Sequence, residues 1–268
     1  MTAALLSEVR KISTTRLWWV LLACMVVGSG FMAGVVAFSF AFADELGSSS
    51  DVSAGMDPRA MATTIYGLAV SFGYVFPAIL GALAVTGEMR HRTIDTTVLA
   101  DPHRGRIIGA KLVAVLPFAA LFGLAGMAAA VATGAAGLAL ADSPTYLDDP
   151  AMWGSLGMGV VALTAWGVVG VGLGAAVPHQ VVVIVALIGW TQLVEPILRL
   201  VLSLIEPLAG VAAYLPGAAG DAMVGASFYS STGSADLLAP WAGFAVLVAY
   251  GAIAALVGWL VTFRRDLS

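Results

Sequence analysis

Few side chains in this sequence are suited to chemistry. The three histidines are His91, His103 and His179. The first two lie among Arg90, Arg92, Arg104 and Arg106, whose charge opposes a bound cation, so no metal site is expected there. The single cysteine, Cys24, excludes an internal disulfide and any multi-cysteine metal site. Its apolar surroundings fit a small buried residue better than a reactive thiol. No H-E-x-x-H, G-x-S-x-G or C-x-x-C occurs. Gly105-Arg-Ile-Ile-Gly109-Ala-Lys111 superficially resembles a phosphate loop. It lacks the G-x-x-x-x-G-K-[ST] spacing, and it leads into an apolar run instead of following a strand. The expectation is a chain that is not an enzyme and holds no metal or cofactor of its own.

Glu195 and Arg199 are the two ionisable residues inside apolar sequence that stand out. Four positions apart, they share a helix face and can pair. Glu195 lies roughly 21 Å along its apolar run at ~1.5 Å per residue, in the outer third. One reading is a polar gate or ligand contact at an outer vestibule. The other, which is favoured, is a structural pair ending a span, because ion pairs near the interface are cheaper than central ones. Pro196 adds a kink or break.

The elements that must position these residues are set by composition. The chain has 268 residues, 60% apolar and only 10% charged, with a mean hydropathy of +0.97. Soluble domains carry about 25% charged residues, so a cytosolic enzyme, a nucleic-acid binder and a disordered scaffold are excluded. Apolar runs at 17–43, 60–85, 112–141, 151–177, 181–203 and 237–263 each meet the length of a spanning helix. The predicted fold is all-α and polytopic, a single transmembrane domain over 1–268 with six spans. Lys and Arg divide ten to two of the 12 between the two faces, with Arg59 and Arg199 the minority. Both termini are therefore predicted to be cytoplasmic. Gly30–Gly34 and Gly170–Gly174 have G-x-x-x-G spacing, which is expected to serve close packing within the chain.

Three flanking segments carry further information. Residues 1–16 place Leu5, Val9 and Ile12 on one face, with Glu8, Arg10 and Lys11 elsewhere. This fits either an interfacial helix on anionic lipid or a basic flank that sets orientation. Segment 204–236 is apolar but is broken by Pro207, Pro216 and Gly217. It fits a re-entrant helical hairpin on the outer side better than a plain loop. Segment 86–111 places Ile94, Val98 and Leu99 on one face of a short helix, with Arg104 and Arg106 after Pro102. An exposed apolar face tethered between two spans fits a partner groove, and the alternative is a basic loop lying on headgroups.

Gly87-Glu88-Met-Arg90, Thr93-Ile94, Leu99, Pro102, Arg104-Gly105-Arg106 and Ala110-Lys111 resemble the corresponding loop of bacterial permeases of the ABC type 2 exporter class. The start, Ser7-Glu8-Val-Arg10-Lys11 with Thr14-Thr15-Arg16 and Trp18-Trp19, is similar to the same family's N-terminal segment. Glu195-Pro196 and Tyr214-Leu-Pro216-Gly217 fit its actinobacterial members. The resemblance implies an interfacial N-terminal helix, a coupling helix at about 88–101 and re-entrant helices before the last span, in a bacterial plasma-membrane protein. It implies an ATPase-coupling surface formed by Glu88, Arg90, Arg92, Thr93, Ile94, Thr97, Val98, Leu99, Arg104 and Arg106. It also implies a separate nucleotide-binding ATPase subunit carrying ATP and Mg, and a second permease copy or a homologous permease, in membrane lipid and without nucleic acid. A non-transporting assembly subunit, a secondary transporter and an intramembrane enzyme are the competing classes. The last two would need a titratable midplane residue or a catalytic pair, and neither is evident.

Overall fold

A computed structural model describes residues 2–42, 57–90, 104–231 and 237–260. The described residues are helical, with no strand among them. That is what lipid requires, because a helix satisfies its own backbone groups where water cannot. In chain order the helices are α1 (Thr2–Thr14), α2 (Leu17–Ala41), α3 (Pro58–Gly73), α4 (Val75–Arg90), α5 (Arg104–Leu140) and α6 (Pro150–Ala176). They continue with α7 (Gln180–Gly189), α8 (Glu195–Ser203), α9 (Ala209–Ala212), α10 (Pro216–Val224), α11 (Phe228–Ser231) and α12 (Pro240–Gly258).

Six helical stretches are long and apolar enough to cross a membrane: Leu17–Phe40, Pro58–Arg90, Ile107–Leu140, Pro150–Ala176, Gln180–Ser203 and Pro240–Gly258. The chain is a multi-pass membrane protein, as its composition requires. Two spans start with matching chemistry. Asp57 accepts from the Ala60 amide at 3.3 Å and Asp149 from the Ala151 amide at 2.8 Å, each followed directly by a proline. A carboxylate cap satisfies one free amide of a helix start, and a first-turn proline removes another.

The second span, α3 with α4, is the centre of the bundle. Its most apolar stretch is 78% buried, against 22% for the fifth and sixth spans. Small residues allow this. A methyl group added to Gly170 would overlap the Ala78 carbonyl, and one added to Gly81 would overlap the Gly167 carbonyl. Gly174 has the Ala82 carbonyl in the same position, at 2.6 Å from an added Cβ. So α4 and α6 meet backbone to backbone, and the Gly170–Gly174 spacing serves packing inside the chain. At Gly30 the contact between α2 and α5 is looser, an added Cβ finding Thr133 Cγ2 at 3.5 Å, and the Gly30 carbonyl accepts from Thr133 Oγ1 at 2.7 Å.

Cys24 departs from expectation. It is exposed on α2. In a spanning helix an apolar neighbourhood does not imply burial, because the outer face is solvated by lipid as apolar as a core.

The α4–α6 contact gives the first prediction. Gly170→Val forces a side chain into the Ala78 backbone, and overpacking costs ~1–3 kcal/mol or more. The variant is expected to melt well below wild type in detergent. Gly154→Ala, with open space around its Cβ, is expected to melt with wild type. Equal melting of the two variants would mean that the helices do not approach this closely.

Candidate functional site

Among the described residues the buried charged side chains collect in two centres. The first forms where the fifth span breaks. Pro196 has no amide hydrogen, and the helix widens into a π turn over Trp190–Val194, with the Glu195 amide donating to the Trp190 carbonyl. In that register the carbonyl of Thr191 would await the amide of residue 196, which is proline. Tyr74 Oη fills the vacancy, donating to the Thr191 carbonyl at 3.0 Å. Wide turns of this kind recur at functional positions. This one carries Glu195 and, one turn later, Arg199 into the interior, where they are 0% and 2% exposed.

Arg199 is shared between two carboxylates. Its Nη2 and Nε donate to Glu195 Oε1 at 2.8 and 3.2 Å, and its Nη1 donates to Asp221 Oδ2 at 2.6 Å. Glu195 also receives the amides of Gly217 and Ala218 at 2.6 and 3.1 Å and Trp190 Nε1 at 3.2 Å. Those amides are the second and third of α10, so the carboxylate caps a helix far from it in sequence. It also meets the positive end of that helix's dipole. Asp221 accepts further from Ser71 Oγ and Ser227 Oγ, both at 2.7 Å. The guanidinium carbon lies 4.8 Å from the centre of the Tyr229 ring, in cation–π range. Gly217 makes the assembly possible: a Cβ there would sit 2.5 Å from Arg199 Nη2 and 2.6 Å from Glu195 Oε1. All nine residues of α10 are buried, and a helix this short, ~14 Å long, cannot cross the bilayer. It packs among α3, α6 and α12. One ionic centre thus ties α3, α8, α10 and the Ser227–Tyr229 turn together.

The second centre lies at the other end of the second span. Lys111, 1% exposed, donates to Glu8 Oε2 and Glu88 Oε1, both at 2.7 Å, and to the Ala84 carbonyl at 2.9 Å. Lys11 Nζ joins Glu8 Oε1 at 2.6 Å and Glu88 Oε1 at 2.5 Å. Two ammonium groups and two carboxylates therefore fasten α1 to the end of α4 and the start of α5. Burial by itself would lower the Lys11 pKa. The hydrogen bonds and charges of Glu8 and Glu88 outweigh it and hold the ammonium above the ordinary lysine value. Because the folded value is raised, this contribution is full below the unfolded lysine pKa. It is lost only as pH climbs through the folded one.

The expected site residues separate accordingly. Glu195 and Arg199 do pair, and the partner that sequence reading did not assign to them is Asp221. Its carboxylate, the one acidic residue in the apolar stretch between Glu206 and Asp236, was the available signal. Glu88 is turned inward, 7% exposed. Arg90 is exposed and donates to Gln180 Oε1 at 3.3 Å. Arg104 and Arg106 open α5. Arg92, Thr93, Ile94, Thr97, Val98 and Leu99 lie outside the described residues. No group of three or more His, Cys, Asp or Glu able to hold a metal occurs among the described residues. No protein-family model matches the chain, and no curated protein matches it.

Removing one partner of a buried ion cluster strands the others, at ~3–5 kcal/mol. Arg199→Leu leaves Glu195 and Asp221 facing each other and is expected to abolish a stable detergent-purified fold. Removing all three charges with Arg199→Leu, Glu195→Gln and Asp221→Asn together is expected to recover much of the loss in a melting experiment. A single variant as stable as wild type would show that the centre carries no stability.

Proposed function

We propose that this chain is the membrane permease subunit of an ATP-driven exporter of the ABC type 2 class. Two permease halves, identical or homologous, form the path, and two separate ATPase subunits hold ATP and Mg and supply the work. The single observation that carries this reading is the 86–111 loop pattern, Gly87-Glu88, Thr93-Ile94, Pro102, Arg104-Gly-Arg106 and Lys111, placed between the second and third of six apolar helices.

The α1-end ionic centre gives the reading a mechanical route. Glu88 is the third-last residue of α4, and Lys111 lies two turns into α5. Their ion pair brackets the loop, and both join α1. A push on residues 91–103 would therefore pass to the second span, the third span and α1 together. In this reading the apolar face of Ile94, Val98 and Leu99 docks in a groove of the ATPase, with Arg90, Arg92, Thr93, Thr97, Arg104 and Arg106 at its rim. The face carrying the loop, α1 and both termini is the cytoplasmic one, in keeping with the ten-to-two division of basic residues. Segment 204–236, with buried α10, serves as the re-entrant element on the opposite side. The Glu195–Arg199–Asp221 centre holds it against the fifth span.

Ile94→Asp or Leu99→Asp places a carboxylate in a desolvated contact, costing several kcal/mol at ~1.4 kcal/mol per tenfold. Both positions lie outside the six apolar stretches. The expected result is normal membrane expression with loss of the co-purifying ATPase and of transport. Retention of an ATPase at wild-type stoichiometry in both variants would contradict the coupling role. Recovery of wild-type protein with other membrane subunits and no ATPase would favour an assembly subunit.

A further inference from the structure

Helix α1 has two working faces. The inner one, with Leu5, Glu8, Val9 and Ile12, is spent on the bundle. The outer one borders an open recess of about 460 Å³, lined among the described residues by Leu6, Ser7, Arg10, Lys11 and Thr14. The donors around it are only partly spent, and the Thr14 hydroxyl already donates to the Arg10 carbonyl at 2.7 Å. Lys111 uses all three of its ammonium hydrogens on Glu8, Glu88 and the Ala84 carbonyl. Lys11 uses two, on Glu8 and Glu88, and its side chain is 39% exposed. Arg10 and Ser7 are exposed, and neither side chain has a hydrogen-bond partner among the described residues. Among the described residues no carboxylate lines the recess. The two glutamates and two lysines of the ionic centre neutralise each other, which leaves the Arg10 charge uncompensated among the described residues.

The recess also lies at a defined depth. It ends a few residues before Leu17, where the first span starts. Trp19, 52% exposed, follows directly, a residue type that settles at headgroup level. Leu6, 58% exposed, gives an apolar edge beside the cations. Donors for a phosphate, an uncompensated cation and an apolar edge at the membrane boundary match an anionic phospholipid better than a soluble anion, which would not use Leu6.

We propose that this recess is a binding site for the headgroup of an anionic phospholipid. The phosphate is held by Arg10, Lys11 and Ser7, and an acyl chain lies along Leu6. The site is independent of the transport reading, since it needs only α1 and its junction with the first span. It would make the α1-end ionic centre sensitive to lipid composition, because Lys11 belongs to both.

The test is lipid co-purification. The full chain is equilibrated in detergent with equal amounts of phosphatidylglycerol and phosphatidylcholine, and the retained lipid is measured by mass spectrometry. Wild type is expected to retain phosphatidylglycerol in preference. Arg10→Gln should lower that preference about fivefold, the scale of one basic residue near an anionic surface. Arg10→Lys should keep most of it. Arg59→Gln, which removes a cation paired with Asp149 at the opposite end, should leave it unchanged. Arg10 touches no buried partner, so loss of fold would not mimic the result, and an unchanged melting curve checks this. Equal retention of the two lipids by wild type, or an Arg10→Gln preference equal to wild type, would overturn the site. Displacement of the phosphatidylglycerol by an excess of inorganic phosphate would overturn the lipid assignment in favour of a soluble anion.

Discussion

A guanidinium inside an apolar bundle cannot be hydrated, so it must be held by acceptors wherever the chain brings it. Arg199 meets that requirement with Glu195 and Asp221, and most of the irregular half of the molecule is arranged around it. Glu195 would need no partner beyond Arg199 if only charge mattered. It also caps α10, and so a broken, apolar segment too short to span is brought into the bundle with its first amides satisfied. Asp221 fixes the far side of the same helix and reaches Ser71 on the second span. The π turn is part of this arrangement. It rotates Glu195 and Arg199 inward at the position where Pro196 already costs the helix a hydrogen bond, and Tyr74 makes good that loss.

The second span connects this centre with the other one. Ser71 and Tyr74 touch the ionic centre at the α10 side, and Glu88 belongs to the centre beside α1. The two ends are separated by about 25 Å of helix. The span between them is the most enclosed in the bundle, and it is packed through glycine against α6 with little room for side-chain adjustment. An enclosed element with an ion cluster at each end is suited to move as a unit. In the proposed exporter this lets displacement of the loop after α4 reach the α10 side without a chain of soft contacts. A bundle with independent spans would dissipate the same motion.

The architecture was legible because lipid imposes it. Length of apolar run and scarcity of charge mark where helices cross. The Glu195–Arg199 pair was legible from its spacing of four. The partnership with Asp221 was not, because it joins residues 22 apart through a segment whose path depends on Pro207, Pro216 and Gly217. Lys111 and Glu88 were read as part of a charged loop, and Glu8 and Lys11 as part of an amphipathic flank. Their meeting is tertiary, and no local period encodes it. Cys24 shows the opposite limit. Hydropathy identifies a spanning helix but does not say which of its faces meets protein and which meets lipid.

The central physical claim is that Glu195 holds α10 within the bundle through the first amides of that helix. Site-resolved hydrogen exchange at Gly217 and Ala218, in the full chain in detergent or nanodisc, tests it most directly. If the carboxylate takes both hydrogens, these amides exchange as slowly as those in the middle of α6. Exchange at the rate of an exposed loop, in a protein whose α6 remains protected, would contradict the claim. Segment 204–236 would then lie outside the bundle.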